Sequence, residues 1–216
     1  YSGDLGRRNP VLHRPADRFK ETDYLILEST YGDRRHEPED PKDHLGRIIN
    51  ETYARKGILL IPAFAVGRVQ MILYLLKQLR DENRIPPQPV YLNSPMAIDA
   101  TEIFLRHPKD HILSADEAAS MTQGVRFVRT MEESKWLNSQ ETPCIIISAS
   151  GMASGGRILH HLRCKLPDPR HTVLFVGYQP AGTRGEALIN GKSTVKIFGV
   201  EVPVQAKIAQ IDTLSA

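Results

Sequence analysis

A short apolar run, a glycine-rich loop and a helical pattern follow one another between residues 144 and 166. Residues 144–147 are apolar and mostly β-branched, which is typical of a strand buried on both faces. The loop contains Ser150, Gly151, Gly155 and Gly156, small residues that let a backbone turn tightly and leave its N–H groups uncovered. Because this order aims backbone donors and the positive end of a helix at one point, it predicts an anion site, such as a phosphate site. A purely structural strand-to-helix turn is the alternative.

Arginines stand beside three small-residue loops: Arg157, Arg68 and Arg184, the last of them directly after Thr183. Arg68 lies in the first turn of a predicted helix, where a cation is unfavourable because it faces the positive end of the helix dipole. An external anion near Arg68 would explain this placement, and so would a surface salt bridge. Both explanations stay open from the residue types alone.

Two carboxylates lie where a turn or a strand end could present them to a ligand. Asp4 belongs to a polar turn with two glycines, where an aspartate most often stabilises the turn itself. Glu28 follows the apolar run 24–27, which we interpret as a buried strand. Proteins of the α/β class place catalytic groups beyond such strand ends, but a capping or turn role is the alternative for Glu28.

Strand-like runs alternate with helical patterns between about residues 43 and 178, and this alternation predicts an α/β domain with a doubly wound, mainly parallel sheet. The remaining strand-like runs lie at both ends of the chain, at residues 24–27, 195–198, 200–204 and 207–211. Gly199 separates two of these runs and predicts a hairpin. We therefore expect an α/β domain inserted into a β-rich one.

Composition limits the class of protein further. The chain has 216 residues, of which 41% are hydrophobic and 25% charged, as expected for a globular protein with a real core. Its net charge of +3 permits a polyanionic partner without requiring one. Cys144 and Cys164 lack CxxC spacing and predict reduced packing residues of a cytoplasmic protein. No apolar run reaches the length of a membrane span, and because the chain starts at Tyr1 we expect a piece of a larger protein.

Five motifs in register carry a family resemblance across essentially the whole chain. They are Ser2-Gly3-Asp4, residues 27–32 (LESTYG), residues 61–68 (IPAFAVGR), residues 148–152 (SASGM) and Gly182-Thr183. Together they resemble the β-CASP branch of the metallo-β-lactamase fold, the RNA nucleases of the mRNA 3′-end cleavage type and their prokaryotic relatives. The resemblance implies that residues 33–185 form the β-CASP domain. Residues 1–32 and 186–216 would belong to an incomplete metallo-β-lactamase-like domain.

The resemblance also implies a zinc-dependent ribonuclease that hydrolyses phosphodiester bonds as an endonuclease or a 5′-exonuclease. In this family the β-CASP domain covers an active site with two zinc ions. Asp4 matches the aspartate that bridges the two metals, and Glu28 matches an acid that positions an active-site histidine. Two metals that share a bridging water would provide a nucleophile at neutral pH.

RNA is the partner that the resemblance implies, and the loop ends are the expected contacts because amides and arginines neutralise phosphates without reading bases. The residues that we predict to bind RNA or its phosphates are Arg68, Ser150, Gly151, Gly155, Gly156, Arg157, Thr183 and Arg184. The resemblance leaves a homodimer of the parent protein open.

The sequence departs from the family pattern in three places. The HxHxDH metal motif is absent, the final residues 211–216 match the lead-in to the last metal histidine without reaching it, and Ala187 stands near the place of a further histidine. A single aspartate such as Asp4 cannot make a zinc site. We therefore expect this fragment to lack bound zinc and nuclease activity, and its parent to have both.

Two other functions compete with the nuclease. A non-catalytic β-CASP protein that binds RNA or acts as a scaffold is one, and a mononucleotide-binding α/β domain is the other. For the second, the sequence lacks a P-loop lysine and G-x-G-x-x-G spacing.

His160 and His161 are about 100° apart on a helix, so at most one can face a site. The other histidines are predicted to lie in loops or on the surface without a role: His13, His36, His44, His107, His111 and His171.

Overall fold

The computed structural model of the protein describes residues 1–6, 10–17, 20–30, 32–33 and 39–214. Tyr31, His36 and the last two residues, which the sequence analysis named, lie outside these ranges.

Eight strands are present in the described ranges. They are β1 (Leu59–Pro62), β2 (Val90–Leu92), β3 (Val125–Phe127), β4 (Ile145–Ser148), β5 (Thr172–Phe175), β6 (Thr194–Ile197), β7 (Val200–Pro203) and β8 (Lys207–Gln210). Six of them form one sheet in the order β3-β2-β4-β1-β5-β8, and every pairing in it is parallel. The other two, β6 and β7, form the antiparallel hairpin that Gly199 predicted.

Seven α-helices accompany these strands in the same ranges. They are α1 (Pro41–Ala54), α2 (Arg68–Asp81), α3 (Pro95–Arg106), α4 (Ala115–Ser120), α5 (Met131–Asn138), α6 (Ile158–Lys165) and α7 (Arg184–Ile189), and a 3-10 turn follows at Asp212–Leu214. None of them is long and apolar enough to cross a membrane.

The sheet is covered by helices on both faces, which is why its central strands are buried at every position. Side chains of β1 and β4 alternate between two buried clusters. One cluster contains Leu59 and Ile147 and packs against α1, α2 and α3. The other contains Leu60 and packs against α5, α6 and α7. The predicted doubly wound α/β fold is therefore confirmed.

The predicted buried strand at residues 24–27 is wrong. This segment has no regular secondary structure, and Tyr24 and Ile26 expose 91% and 65% of their surface. Ser2 N donates a hydrogen bond to Ile26 O (2.9 Å), but no strand within the described ranges lies alongside to form a ladder or to cover the apolar side chains. An apolar run forms a buried strand only where a neighbour and a covering layer exist.

The last predicted strand is present, but its partner was not foreseen. β8 pairs in parallel with β5, in register from Thr172 with Lys207 to Phe175 with Gln210. It therefore extends the edge of the α/β sheet, whereas the sequence analysis had assigned it to the separate β-rich domain. Period-two patterns predict that a strand exists but do not say which sheet it joins. The domain boundaries at residues 32 and 185 stay a prediction.

The turn after α1 has its left-handed residue at Lys56 (φ 55°) and not at the glycine that follows. Gly57 is required by packing, because a Cβ there would lie 1.8 Å from Arg170 O. This close approach brings α1 against the loop that precedes β5.

Two histidines predicted to lie on the surface are buried, and one cysteine predicted to pack is exposed. His111 and His171 are 4% and 3% exposed. His171 Nδ1 accepts a hydrogen bond from Ile58 N (3.0 Å), so it joins the start of β1 to that of β5. Burial lowers the pKa of His171 to about 4, although Asp168 opposes this shift.

Of the two cysteines, Cys164 is exposed and Cys144 is buried. Burial raises the pKa of the Cys144 thiol to about 12.

Candidate functional site

The two predicted catalytic segments are hydrogen-bonded to each other. Glu28 N donates to Ser2 Oγ (3.0 Å), and the Glu28 carboxylate accepts from Thr30 N (3.0 Å). The backbone and side chain of Thr30, with a smaller contribution from the amide of Leu5, lower the pKa of Glu28. Glu28 is therefore ionised at neutral pH and fixes the turn that presents the adjacent Asp4.

Asp4 lies at the edge of a cleft of about 520 Å³, which we call the Arg68 cleft. Asp4, His13 and Arg14 line one side, and the other is formed by Phe64, which follows β1, and by Arg68, the first residue of α2. Asp4, His13 and Arg14 are exposed. The cleft therefore offers one carboxylate, one imidazole and two guanidinium groups over a short distance.

Arg68 has a structural role in addition to lining the cleft. Its guanidinium donates a hydrogen bond to Leu214 O, which connects the start of α2 to the 3-10 turn near the end of the chain. Arg68 also lines a small recess together with Gly151, beyond the carboxyl ends of β1 and β4. The structure thus brings these two predicted RNA contacts together.

The glycine loop, residues 149–157, directs much of its hydrogen bonding inward. Ser150 Oγ accepts from Ser154 N (3.1 Å) and Gly155 N (3.3 Å). The first amides of α6 donate to loop carbonyls, Ile158 N to Ala149 O (3.3 Å) and Leu159 N to Gly156 O (3.3 Å). The predicted anion site at this helix start would therefore have to compete with hydrogen bonds that the protein already makes.

Two of the loop glycines are explained by close packing. Gly156 has a φ of +79°, and a Cβ on it would lie 2.4 Å from Ala149 O. A Cβ on Gly151 would meet the ring of Phe64 at 3.0 Å, and Gln179 Nε2 donates to Gly151 O (3.1 Å). Gly155 differs, because nothing lies within 4 Å of its Cβ position.

Arg157 joins the glycine loop to the ends of β2 and β3. Its guanidinium donates to Asn93 Oδ1 (2.9 Å), Val128 O (3.1 Å) and Arg129 O (2.7 Å). Asn93 is fully buried and in turn contacts His161 Nε2 through its Nδ2 (2.6 Å). The structure therefore uses Arg157 to hold three carbonyl-type acceptors, and its predicted contact with RNA stays a prediction.

The two adjacent histidines of α6 face different surroundings, as their spacing required. His161 is fully buried, and burial, with smaller contributions from nearby positive groups, lowers its pKa to about 3. It is therefore neutral at physiological pH. His160 is exposed and its ring lies 4.6 Å from that of Phe198 in the β6–β7 hairpin.

Thr183 and Arg184 begin a helix that the sequence analysis missed. Thr183 Oγ1 accepts from Glu186 N (3.1 Å) and caps α7. Arg184 donates to Lys196 O (3.0 Å) and to Ala153 O, which connects α7 to the hairpin and to the glycine loop. The Thr-x-x-Glu spacing, a helix-start signature, could have predicted this helix.

The predicted site residues thus fall into two connected groups. Asp4 and Arg68 line the Arg68 cleft, and Glu28 is hydrogen-bonded to the Asp4 segment through Ser2. Arg184 joins the glycine loop through Ala153 O. Sequence reasoning missed His13 and Arg14, which line the cleft, because a His-Arg pair in an irregular segment carries no periodic pattern. Among the described residues, no group of three His, Cys, Asp or Glu could hold a metal ion.

Fold and site together define an α/β domain whose functional loops gather beyond the carboxyl ends of a parallel sheet, where such folds bind ligands. The family description Beta-Casp domain matches residues 69–188. The chain belongs to the Beta-Casp family, which confirms the resemblance that its motifs carry.

Curated relatives extend the similarity over nearly the whole chain. The chain is 39% identical over 218 residues to Ribonuclease TTHA0252 of Thermus thermophilus, covering 96% of this chain and 49% of that protein. It is 31% identical over 210 residues to Transcription termination factor FttA of Methanosarcina mazei (92% and 33% covered). It is 30% identical over 221 residues to an RNase J-like protein of Methanocaldococcus jannaschii (98% and 51% covered). The chain spans about half, or less, of the length of these relatives.

Proposed function

We propose that this chain is the β-CASP part of a longer, zinc-dependent ribonuclease, which hydrolyses phosphodiester bonds as an endonuclease or a 5′-exonuclease in cytoplasmic RNA processing or decay. The observation that carries the proposal is the 39% identity, along 96% of the chain, to a protein named a ribonuclease. The other relatives match the same segment, and their names also refer to RNA or transcription.

The Arg68 cleft supports RNA as the substrate. Arg14 and Arg68 line it together with the exposed Asp4, and guanidinium groups suit phosphate oxygens because they donate in a planar fork. Arg14 is held by a hydrogen bond from its Nη2 to Lys109 O (2.9 Å). In this proposal the cleft binds and orients the RNA backbone without reading its sequence.

The described residues do not by themselves fit a metal ion, since no three suitable side chains converge. Asp4 would supply one carboxylate to a site of two zinc ions, whose other ligands would have to come from elsewhere in the longer protein. Glu28 would be a positioning residue of the site, because its carboxylate is bonded by Thr30 and Leu5. No catalytic step through the metal is therefore assigned to this chain.

The test is hydrolysis of a 5′-labelled RNA by the full-length natural protein, with and without a zinc chelator and with zinc added back. Cleavage should stop with the chelator and return with zinc. Asp4→Asn should lower the cleavage rate by about 100-fold or more, because a carboxylate ligand is lost. Asp17→Asn, an exposed aspartate outside the cleft lining, is the control. Cleavage that ignores the chelator, or no cleavage at all, would contradict the proposal.

A further inference from the structure

A second cavity, of about 450 Å³, adjoins the Arg68 cleft and is not explained by the function proposed above. We call it the His111 cavity. It lies between the second half of α3 and the loop at residues 107–111, and its walls include Val66, Ile103, Phe104 and His111. Its volume falls within the range of about 300–1,000 Å³ that is usual for small-ligand sites.

The walls of the His111 cavity combine apolar side chains that face solvent with a buried polar group. Val66 and Ile103 are 73% and 51% exposed, although both are large and apolar. His111 is 4% exposed and stacks on Phe104, with ring centroids 4.2 Å apart and planes within 18°. Neither ring nitrogen of His111 has a hydrogen-bond partner among the described residues. Buried polar groups without partners are rare in folded proteins and call for an explanation.

The His111 cavity and the Arg68 cleft differ in charge although they share a wall. His13, Val66 and Gly67 line both of them. Arg14 and Arg68 line only the cleft, and the lining of the cavity, as far as the structure describes it, contains no lysine or arginine. A cleft with two arginines beside a largely apolar cavity, whose carboxylate is the exposed Asp110, matches the two parts of a nucleotide, which are an anionic phosphate and a flat base.

The wall between the two cavities is fixed by contacts on both sides. Ile112 N donates to Leu12 O (2.9 Å), and Arg14 donates to Lys109 O. Leu12 is fully buried against Leu113 and neighbouring apolar side chains. These contacts hold the loop at residues 107–111 against the segment that carries His13 and Arg14. Because the wall is already ordered, a ligand would bind without the cost of ordering it.

We propose that the His111 cavity binds one unpaired nucleobase of an RNA whose adjacent phosphate lies in the Arg68 cleft. The proposal rests on the ribonuclease function proposed above and adds a binding site for one base beside the cleft that holds the phosphates. The base packs against Val66, Ile103 and the ring of Phe104, and its edge finds polar groups at His13, His107 and Asp110 around the opening. Stacking and apolar contact accept every base, which agrees with cleavage of low sequence specificity.

The test uses the full-length natural protein and compares an intact RNA with RNAs that lack one base, with the abasic nucleotide moved one position at a time. Equilibrium binding is measured for the wild type and two variants. Ala100→Phe fills the cavity from α3, and Ile103→Ser removes apolar contact. Ile112→Ser is the matched control, since Ile112 is 52% exposed and Ile103 51%, but only Ile103 lines the cavity. Urea unfolding of each variant confirms that the fold is retained.

We expect one abasic position to weaken wild-type binding by about tenfold, within the range measured for single stacked bases. Ala100→Phe should weaken binding of intact RNA by a similar factor and Ile103→Ser by about threefold, whereas Ile112→Ser should not change it. On the RNA abasic at that position, neither variant should weaken binding further, because the contact is already lost.

The base site is wrong if no abasic position weakens binding, or if both variants weaken intact and abasic RNA equally. Chelator-sensitive cleavage under those results would leave the ribonuclease proposal standing. If the wild type neither binds nor cleaves RNA, both proposals fail together.

Discussion

The glycine loop and the Arg68 cleft contain similar residue types but use them in opposite ways. In the loop, Ser150 Oγ accepts from Ser154 N, and the first amides of α6 donate to Ala149 O and Gly156 O. Arg157 donates to three acceptors that follow β2 and β3. In the cleft, Asp4 and Arg14 are exposed, although Arg14 Nη2 also donates to Lys109 O, and the walls enclose about 520 Å³. The loop therefore joins parts of the fold, and the cleft next to it presents exposed charged groups to a ligand.

This contrast shows that small residues and arginines do not by themselves distinguish a binding loop from a structural junction. A tight strand-to-helix turn requires glycine for steric reasons, and an arginine beside it can serve nearby carbonyls as well as a phosphate. The deciding question is where each donor is directed, which the pattern does not contain. Each prediction below tests whether the loop is structural and the cleft functional.

The largest expected effect is on stability, at Gly156. Gly156→Ala should lower the free energy of unfolding by about 4 kcal/mol, because the Cβ would lie 2.4 Å from Ala149 O and the residue must keep a φ of +79°. Gly155→Ala, one residue earlier, has an open Cβ position and should change stability by less than about 0.5 kcal/mol. Urea unfolding of both variants provides the measurement. Equal effects would mean that the loop is not packed as described.

Loss of the Arg157 guanidinium should have the next largest effect. Arg157→Ala removes three hydrogen bonds and leaves the buried Asn93 Oδ1 without its donor, so the free energy of unfolding should fall by about 3 kcal/mol. Arg163→Ala is the control, because Arg163 is exposed on α6, the helix that Arg157 precedes. If Arg157→Ala is as stable as the control, Arg157 is not a structural residue.

Much of the fold could be predicted from the sequence, because the apolar runs at β1 and β4 can only be satisfied by helices on both faces. The strand at residues 24–27 was predicted wrongly, since an apolar run does not reveal whether a neighbouring strand is present. The pairing of β8 could not be predicted for a similar reason: its pattern gives a strand but not the β5 partner. Local pattern predicts elements, and the pairing between them depends on distant residues.

The candidate site was predictable to a smaller extent. The motifs identified Asp4 and Arg68, which line one cleft, and Glu28, which is hydrogen-bonded to the Asp4 segment through Ser2. They could not identify His111, because a histidine in a loop with a proline and charged residues is predicted to be exposed, whereas stacking on Phe104 buries it. That contact joins a helix to the loop following it, and no spacing rule encodes a contact of this kind.

Acid should lower the free energy of unfolding through His161, which is buried in the helix that follows the glycine loop. Burial lowers the folded-state pKa of His161 to about 3, below its usual 6.5, so between these values the unfolded chain binds a proton that the native protein does not. Stability therefore falls as the pH drops below about 6.5, by about 2 kcal/mol at pH 5 from this group. His161→Gln should remove about that much of the difference between pH 7 and pH 5, and His160→Gln, on the exposed side of α6, is the control. An unchanged pH dependence in His161→Gln would show that His161 is not buried in its neutral form.

The smallest expected effect, and the most direct test of the contrast, is the salt dependence of RNA binding. Each phosphate contact by a cation on a single strand contributes about 0.7 to the slope of log affinity against log salt concentration. In the full-length protein, Arg14→Ala should reduce the magnitude of this slope by about 0.7, because the Arg14 guanidinium is exposed at the Arg68 cleft. Arg157→Ala, measured where the variant is still folded, should leave the slope unchanged, because its guanidinium donates to Asn93, Val128 and Arg129. A lower slope for Arg157→Ala and an unchanged one for Arg14→Ala would reverse the assignment and place the phosphates at the glycine loop.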